Sequence, residues 1–132
     1  MTRRLKVTSV ERYHLCDDTP ENPNVIGCEL TVSGNVDLDI ATAALRDSSR
    51  RHPLAYARLK GKYWCMNPDD RNRLSWQVVE TDDGGEPSED IRAIDLKTEF
   101  PGKFVIRRGG QRTRLSFRTH HAAGDGGGGL QF

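Results

Sequence analysis

"RLSFRTHHAAGDG", Arg114 to Gly126, ends an alternating run with two adjacent histidines and then sets an aspartate among glycines. In a regular strand Leu115, Phe117, Thr119 and His121 share one face, and Ser116, Arg118 and His120 share the other. The two histidines therefore have different work. His121 falls on the apolar side. A partly apolar cleft there disfavours the imidazolium and leaves a neutral ring able to accept a proton near pH 7. A general base needs that property. His120 falls with the polar residues. Asp125 lies four residues past His121, and Gly126 to Gly129 allow a sharp turn and a close approach to a ligand. An aspartate so placed can orient an imidazole or, paired with an arginine, hold the loop.

Working outward, "KFVIRRGGQRTRLSFRTHH" reads as a hairpin turning at Gly109 and Gly110. "VIGCELTVSG" (Val25 to Gly34) alternates, with Ile26, Cys28, Leu30 and Val32 on one face and Gly27, Glu29 and Thr31 opposite. The one good helix starts at a capping Asp37, with Leu38, Ala41, Leu45 and Ser49 at helical spacing and Ile40 and Ala44 widening the apolar face. "RRHP" closes it, because Pro53 disfavours the α conformation at His52. "LKVTSVERYHL" (Leu5 to Leu15) reads as extended, followed by a loop of turn formers, "CDDTPENPN". "LAYARLKG" and "KYWCM" form a hairpin around Gly61 and Lys62, "LSWQVVE" (Leu74 to Glu80) is a further strand, and a short helix is expected around Ile91 to Lys97. Several strands with one clear helix make the fold class α+β.

A chain of 132 residues fits one domain, residues 1–132. Lys plus Arg number 20 against 19 Asp plus Glu, so net charge near +1 gives no reason to expect nucleic acid or an anionic membrane as partner. Arg107, Arg108, Arg112, Arg114 and Arg118 flank the alternating strand and read as a solvated sheet face rather than a polyanion patch. No apolar run approaches the ~20 residues of a membrane span, and the basic start lacks the apolar run of a secretory signal. Cys16, Cys28 and Cys65 are odd in number and form no C-x-x-C pair, which argues against a zinc knuckle or redox dithiol. Cys28 and Cys65 read as small buried hydrophobes, and a reducing, cytoplasmic setting follows. No metal site is expected: adjacent histidines on a strand point oppositely, and no third ligand stands at a convincing spacing. "GDGGGG" lacks the Lys-Ser/Thr of a phosphate-binding loop.

"HHAAGDG" (His120 to Gly126) resembles the H-H-x-x-x-D-G motif of the chloramphenicol acetyltransferase-like superfamily. That group takes in the condensation domains of nonribosomal peptide synthetases, plant-type acyltransferases, and wax-ester and polyketide-associated acyltransferases. "VSGNVDLDIATAALRDSSRRHP" (Val32 to Pro53) is similar to the family's early segment, where a strand ending in Gly leads to a "V/L-D" helix start and a closing "R-H-P". The resemblance implies an N-terminal lobe with a mixed sheet and one main helix. It implies His121 as general base, taking a proton from a hydroxyl or amine that attacks an acyl thioester on coenzyme A or on a carrier protein's pantetheine. No permanently bound cofactor is implied. Asp125 would pair with an arginine and shape the loop, Gly126 would allow the tight turn, and His120 would support the loop. Family members often carry that arginine shortly after "R-H-P", where this chain has Tyr56, with Arg58 two residues on. The resemblance covers most of the chain but only the N-terminal portion of a family member, so the expectation is a fragment or truncated relative, inactive until a second lobe completes it. The alternative is a non-catalytic binding or interaction module whose exposed apolar surface drives self-association or takes a partner chain.

Overall fold

The alternation from Val25 onward produces a nine-residue strand, β2 (Val25–Ser33), in the computed structural model, which describes residues 1–83 and 92–124. β2 pairs antiparallel with β7 (Arg112–His120), β7 with β6 (Gly102–Gly109), and β6 lies parallel to β5 (Gln77–Glu80). The mixed four-stranded order is β2-β7-β6-β5. A second, antiparallel sheet holds β1 (Arg3–Lys6), β4 (Tyr63–Met66) and β3 (Arg58–Lys60) in the order β1-β4-β3. Helix α1 (Ser9–Cys16) follows β1, α2 (Leu38–Arg51) follows β2, and the short α3 (Pro68–Asn72) follows β4. The α+β reading with one main helix holds.

Helix α2 starts where the sequence requires. The Asp37 carboxylate accepts from the Asp39 and Ile40 amides, each at 2.9 Å, satisfying donors that no helical carbonyl can reach. Its entry is pinned to β7 by fully buried Thr113, whose hydroxyl donates to the Gly34 carbonyl (2.8 Å) and accepts from the Val36 amide (3.2 Å). Ala41, Leu45 and Ser49 form its buried face, but Ile40 is 70% exposed and Ala44 is exposed as well. The buried stripe is one row wide, and the Trp76 indole donates to the Ala41 carbonyl at 3.0 Å on that row. Trp76 also meets Phe104 edge-on, with centroids 5.7 Å apart. Beneath α2, Leu45, Tyr56, Trp64, Leu74, Ile94 and Phe104 make one continuous core that joins the two sheets.

Several expectations are corrected. Leu5 to Leu15 is not extended throughout: α1 forms because Thr8 and Glu11 make a reciprocal capping box, the Thr8 amide reaching the Glu11 carboxylate at 2.6 Å and the Glu11 amide the Thr8 hydroxyl at 3.2 Å. The β6–β7 hairpin turns on Gly110 and Gln111, with Gly109 still paired to Arg112; Gly110, at φ +59, supplies the left-handed turn position. Residues 92–97 hold no helix, and Ile91 lies outside the described residues. Pro53 to Tyr56 form a 3-10 turn before β3 rather than strand. Cys65 is buried, but Cys28 is only half-buried. The arginines are more engaged than a solvated face implies: Arg108 meets Glu80 at 2.6 Å, Arg112 meets Asp83 at 3.5 Å, and Arg114 meets Glu29 at 3.4 Å.

The one-row contact of α2 separates two substitutions that the sequence alone treats alike. Leu45→Ala, at a 2% exposed position, is expected to cost about 2–5 kcal/mol in urea unfolding. Ile40→Ala should stay within about 0.5 kcal/mol of the parent. Equal losses would show that Ile40 does share the core face.

Candidate functional site

The strand ends between the two histidines. His120 is the last residue of β7, directly opposite Val25, and His121 begins a 3-10 turn that runs to Ala123. Strand parity carries through: Phe117, Thr119 and His121 line one cleft of about 420 Å³ together with His14 of α1, the last residue of α2, Arg51, and the stretch from His52 to Ala55 that follows it. That volume is in the range of small-molecule sites. Val10, Pro53, Leu54, Phe117, Ala122 and Ala123 give the cleft an apolar lining, while Glu11 and Arg51 supply charge.

His120 is buried, as is Ser116 on the same strand face. It is 1% exposed, behind the cleft. Its Nε2 lies 3.3 Å from the Asp18 carboxylate, and its Nδ1 accepts from the Ala122 amide at 3.1 Å. A backbone N–H can only donate, so Nδ1 carries no proton and the neutral ring holds it on Nε2, facing the carboxylate. Burial pushes the His120 pKa below the usual 6.5. The Asp18 charge and hydrogen bond oppose that shift, and neighbouring His14 and His121 add to it. Both ring nitrogens of His120 are spent on structure.

Asp18 and Asn24 come from the loop of turn formers between α1 and β2. The Asp18 carboxylate also accepts from the Asn24 amide at 2.7 Å. The Asn24 side-chain nitrogen lies 3.1 Å from His14 Nδ1 and donates to the His14 carbonyl at 3.1 Å, while the Asn24 carbonyl accepts from the His121 amide at 2.8 Å. Because an amide nitrogen only donates, His14 Nδ1 is the acceptor. The His14 and His121 rings are stacked, 4.0 Å between centroids and 11° from parallel. The His121 ring makes no hydrogen bond among the described residues, and its Nδ1 is buried without a partner.

Of the residues singled out in sequence, the structure therefore brings His121 to the cleft and His120 behind it. Asp125 and Gly126 lie outside the described residues. Arg58 has its guanidinium 4.0 Å over the Phe100 ring and donates to the Thr98 carbonyl. Sequence reasoning missed His14, Asp18 and Asn24. The available signal was the T-x-x-E capping box from Thr8 to Glu11, which turns the following residues into a helix and swings His14 onto His121. Among the described residues no three His, Cys, Asp or Glu side chains converge as a metal site, and no helix is long and apolar enough to cross a membrane.

The chain shares the fold of condensation-domain lobes. The starter condensation domain of rhizomide synthetase RzmA superposes on 97% of the chain with a TM-score of 0.70, at 12% identity, over 35% of that chain. The X-domain in complex with OxyB from teicoplanin biosynthesis matches 89% of the chain with a TM-score of 0.67, at 16% identity, over 28% of that chain. An uncharacterized protein of Mycobacterium tuberculosis is 36% identical over 146 residues, covering 99% of this chain and 32% of the relative. The chain thus spans about a third of the length of the curated relatives it matches. No family model matches it.

A depressed His120 pKa fixes the sign of a pH effect. Between the folded value and 6.5 the unfolded chain binds more protons, so stability rises with pH through that window and falls on acidification through it. In a ¹H–¹³C titration the His120 ring should show a midpoint below 6.5. Asp18→Asn, which removes the negative charge and leaves at most a neutral acceptor, should move the midpoint lower still. A midpoint above 6.5 would mean that the Asp18 charge outweighs burial.

Proposed function

We propose that the chain is the histidine-bearing lobe of a condensation-type acyltransferase. In this reading His121 is the general base. It removes the proton from an acceptor hydroxyl or amine as that group attacks the carbonyl carbon of an acyl thioester; collapse of the tetrahedral intermediate then expels the thiol of coenzyme A or of a carrier protein's pantetheine. The observation that carries the reading is the contrast between the paired histidines. The ring nitrogens of His120 are both committed, whereas the His121 ring borders the cleft with its unpartnered Nδ1 buried, so that Nε2 is the nitrogen assigned to meet the substrate. A proton acceptor must have a free nitrogen within reach of the substrate, and geometry is the first test of a candidate base.

The cleft is open, and water in it weakens the electrostatic interactions on which such a transfer depends. Catalysis is therefore assigned to the lobe when a second lobe covers it, with Asp125 and Gly126 shaping the loop after the base. Val10 and Tyr13, 68% and 66% exposed on α1, are apolar surface beside the cleft that such a cover would bury. The same exposure supports the second reading, an interaction module that binds a partner chain or a second copy; the fold it shares with an X-domain solved in complex with OxyB agrees with that use.

The test replaces the matched third of the Mycobacterium tuberculosis relative with this chain and follows thiol release from acetyl-coenzyme A and longer acyl thioesters, with alcohol and amine acceptors. His121→Ala should lower acceptor-dependent release by about 10²–10⁴-fold, the usual contribution of a positioned base. Equal release by both proteins would remove His121 from the chemistry. No release from either, together with concentration-dependent association of the 132-residue chain, would favour the interaction module.

A further inference from the structure

His14 has no part in the proton transfer described above, yet its ring covers a face of His121. The torsion that sets the plane of a histidine ring is broad and roughly two-fold, so the backbone of His121 does not choose that plane. Nor does a hydrogen bond choose it, because none reaches the ring from any described residue. Among the described residues the ring contact that can set it is the stack on His14, 4.0 Å between centroids and 11° from parallel. His14 in turn is fixed on three sides. The Asn24 side chain lies against its Nδ1, the same amide holds its backbone carbonyl, and the edge of Tyr13 meets its ring at 73° with centroids 5.6 Å apart. Asn24 also takes the His121 amide, so one residue ties the helix carrying the first ring to the turn carrying the second.

We propose that His14 is the positioning residue of His121, a flat platform keyed by Asn24 that sets the plane in which the base meets its substrate. The proposal rests on the reading of His121 as general base, and it adds a residue that lies outside the motif. Misplacing a reacting group by about 1 Å can cost on the order of 10²-fold in rate, so a ring free to rotate on its Cβ is a poor base even with the right pKa.

The platform is tested on the 132-residue chain without any activity. With four histidines, each ring resonance can be assigned by substitution. At a pH where all four are neutral, stacking should displace the His121 Cε1–H resonance upfield through the ring current of His14. His14→Ala should return it towards its free position, His14→Phe should keep it displaced, and Asn24→Ala should return it in part. An unchanged resonance in His14→Ala, or a His14→Phe variant that behaves like His14→Ala, overturns the platform. If His14→Ala fails to fold, Asn24→Ala decides, and an unchanged resonance there is equally fatal. In the chimeric enzyme, His14→Ala should reduce thiol release about tenfold or more at unchanged KM, with recovery in His14→Phe. Full activity of His14→Ala beside an inactive His121→Ala overturns the positioning role alone. A parent chimera with no release overturns the base reading and with it the positioning role, while the resonances still decide whether the stack itself exists.

Discussion

Everything at the cleft depends on the register of β7. It is an inner strand, held by β2 along one edge and β6 along the other, and its nine residues from Arg112 to His120 all pair with β2. Side chains alternate with period two, so a slip of one residue would send His120 to the cleft and His121 into the protein. Two features of the sheet resist that slip. Phe117 lies between Cys28 and Phe104 in register and stacks on Phe104 with centroids 5.3 Å apart. Gly27 stands opposite Arg118, and a Cβ there would come within 2.9 Å of the Arg118 side chain and 2.7 Å of the Phe117 carbonyl. A slipped register would place a neighbour with a Cβ at that point.

What could be read from the sequence follows from where the signals are local. Helix α2 was legible from cap to stop because Asp37 and Pro53 each act within a few residues, and β2 because its alternation is uninterrupted. The split between His120 and His121 was legible from parity alone. Burial of His120 was not, because the carboxylate that accompanies it comes from Asp18, a loop residue far away in sequence. His14 was hidden for a different reason. Its segment alternates loosely enough to pass for a strand, and only the capping box decides for helix. Ile40 misled because helical spacing defines a face but not its width, which depends on what packs against the helix from elsewhere in the chain.

The two loop residues Asp18 and Asn24 couple the histidines to each other. Asp18 faces His120 and also holds the Asn24 amide; Asn24 then holds His14 and the His121 amide. A loop of turn formers has little apolar surface to keep it in place, and its order must come from such polar bonds, each worth about 0.5–1.5 kcal/mol net and more when a charge takes part. Losing Asp18 would therefore loosen the key of the platform as well as the partner of His120. The direction of the His120 shift names the larger influence: burial lowers its pKa by more than the Asp18 carboxylate 3.3 Å away raises it, which favours the neutral ring. A neutral ring keeps Nδ1 as an acceptor for the Ala122 amide, the first backbone donor after His121. A charged ring would present a proton there and break that bond. The turn that aims His121 at the cleft thus depends on His120 remaining uncharged, and the first histidine of the pair acts on the second through a single backbone hydrogen bond.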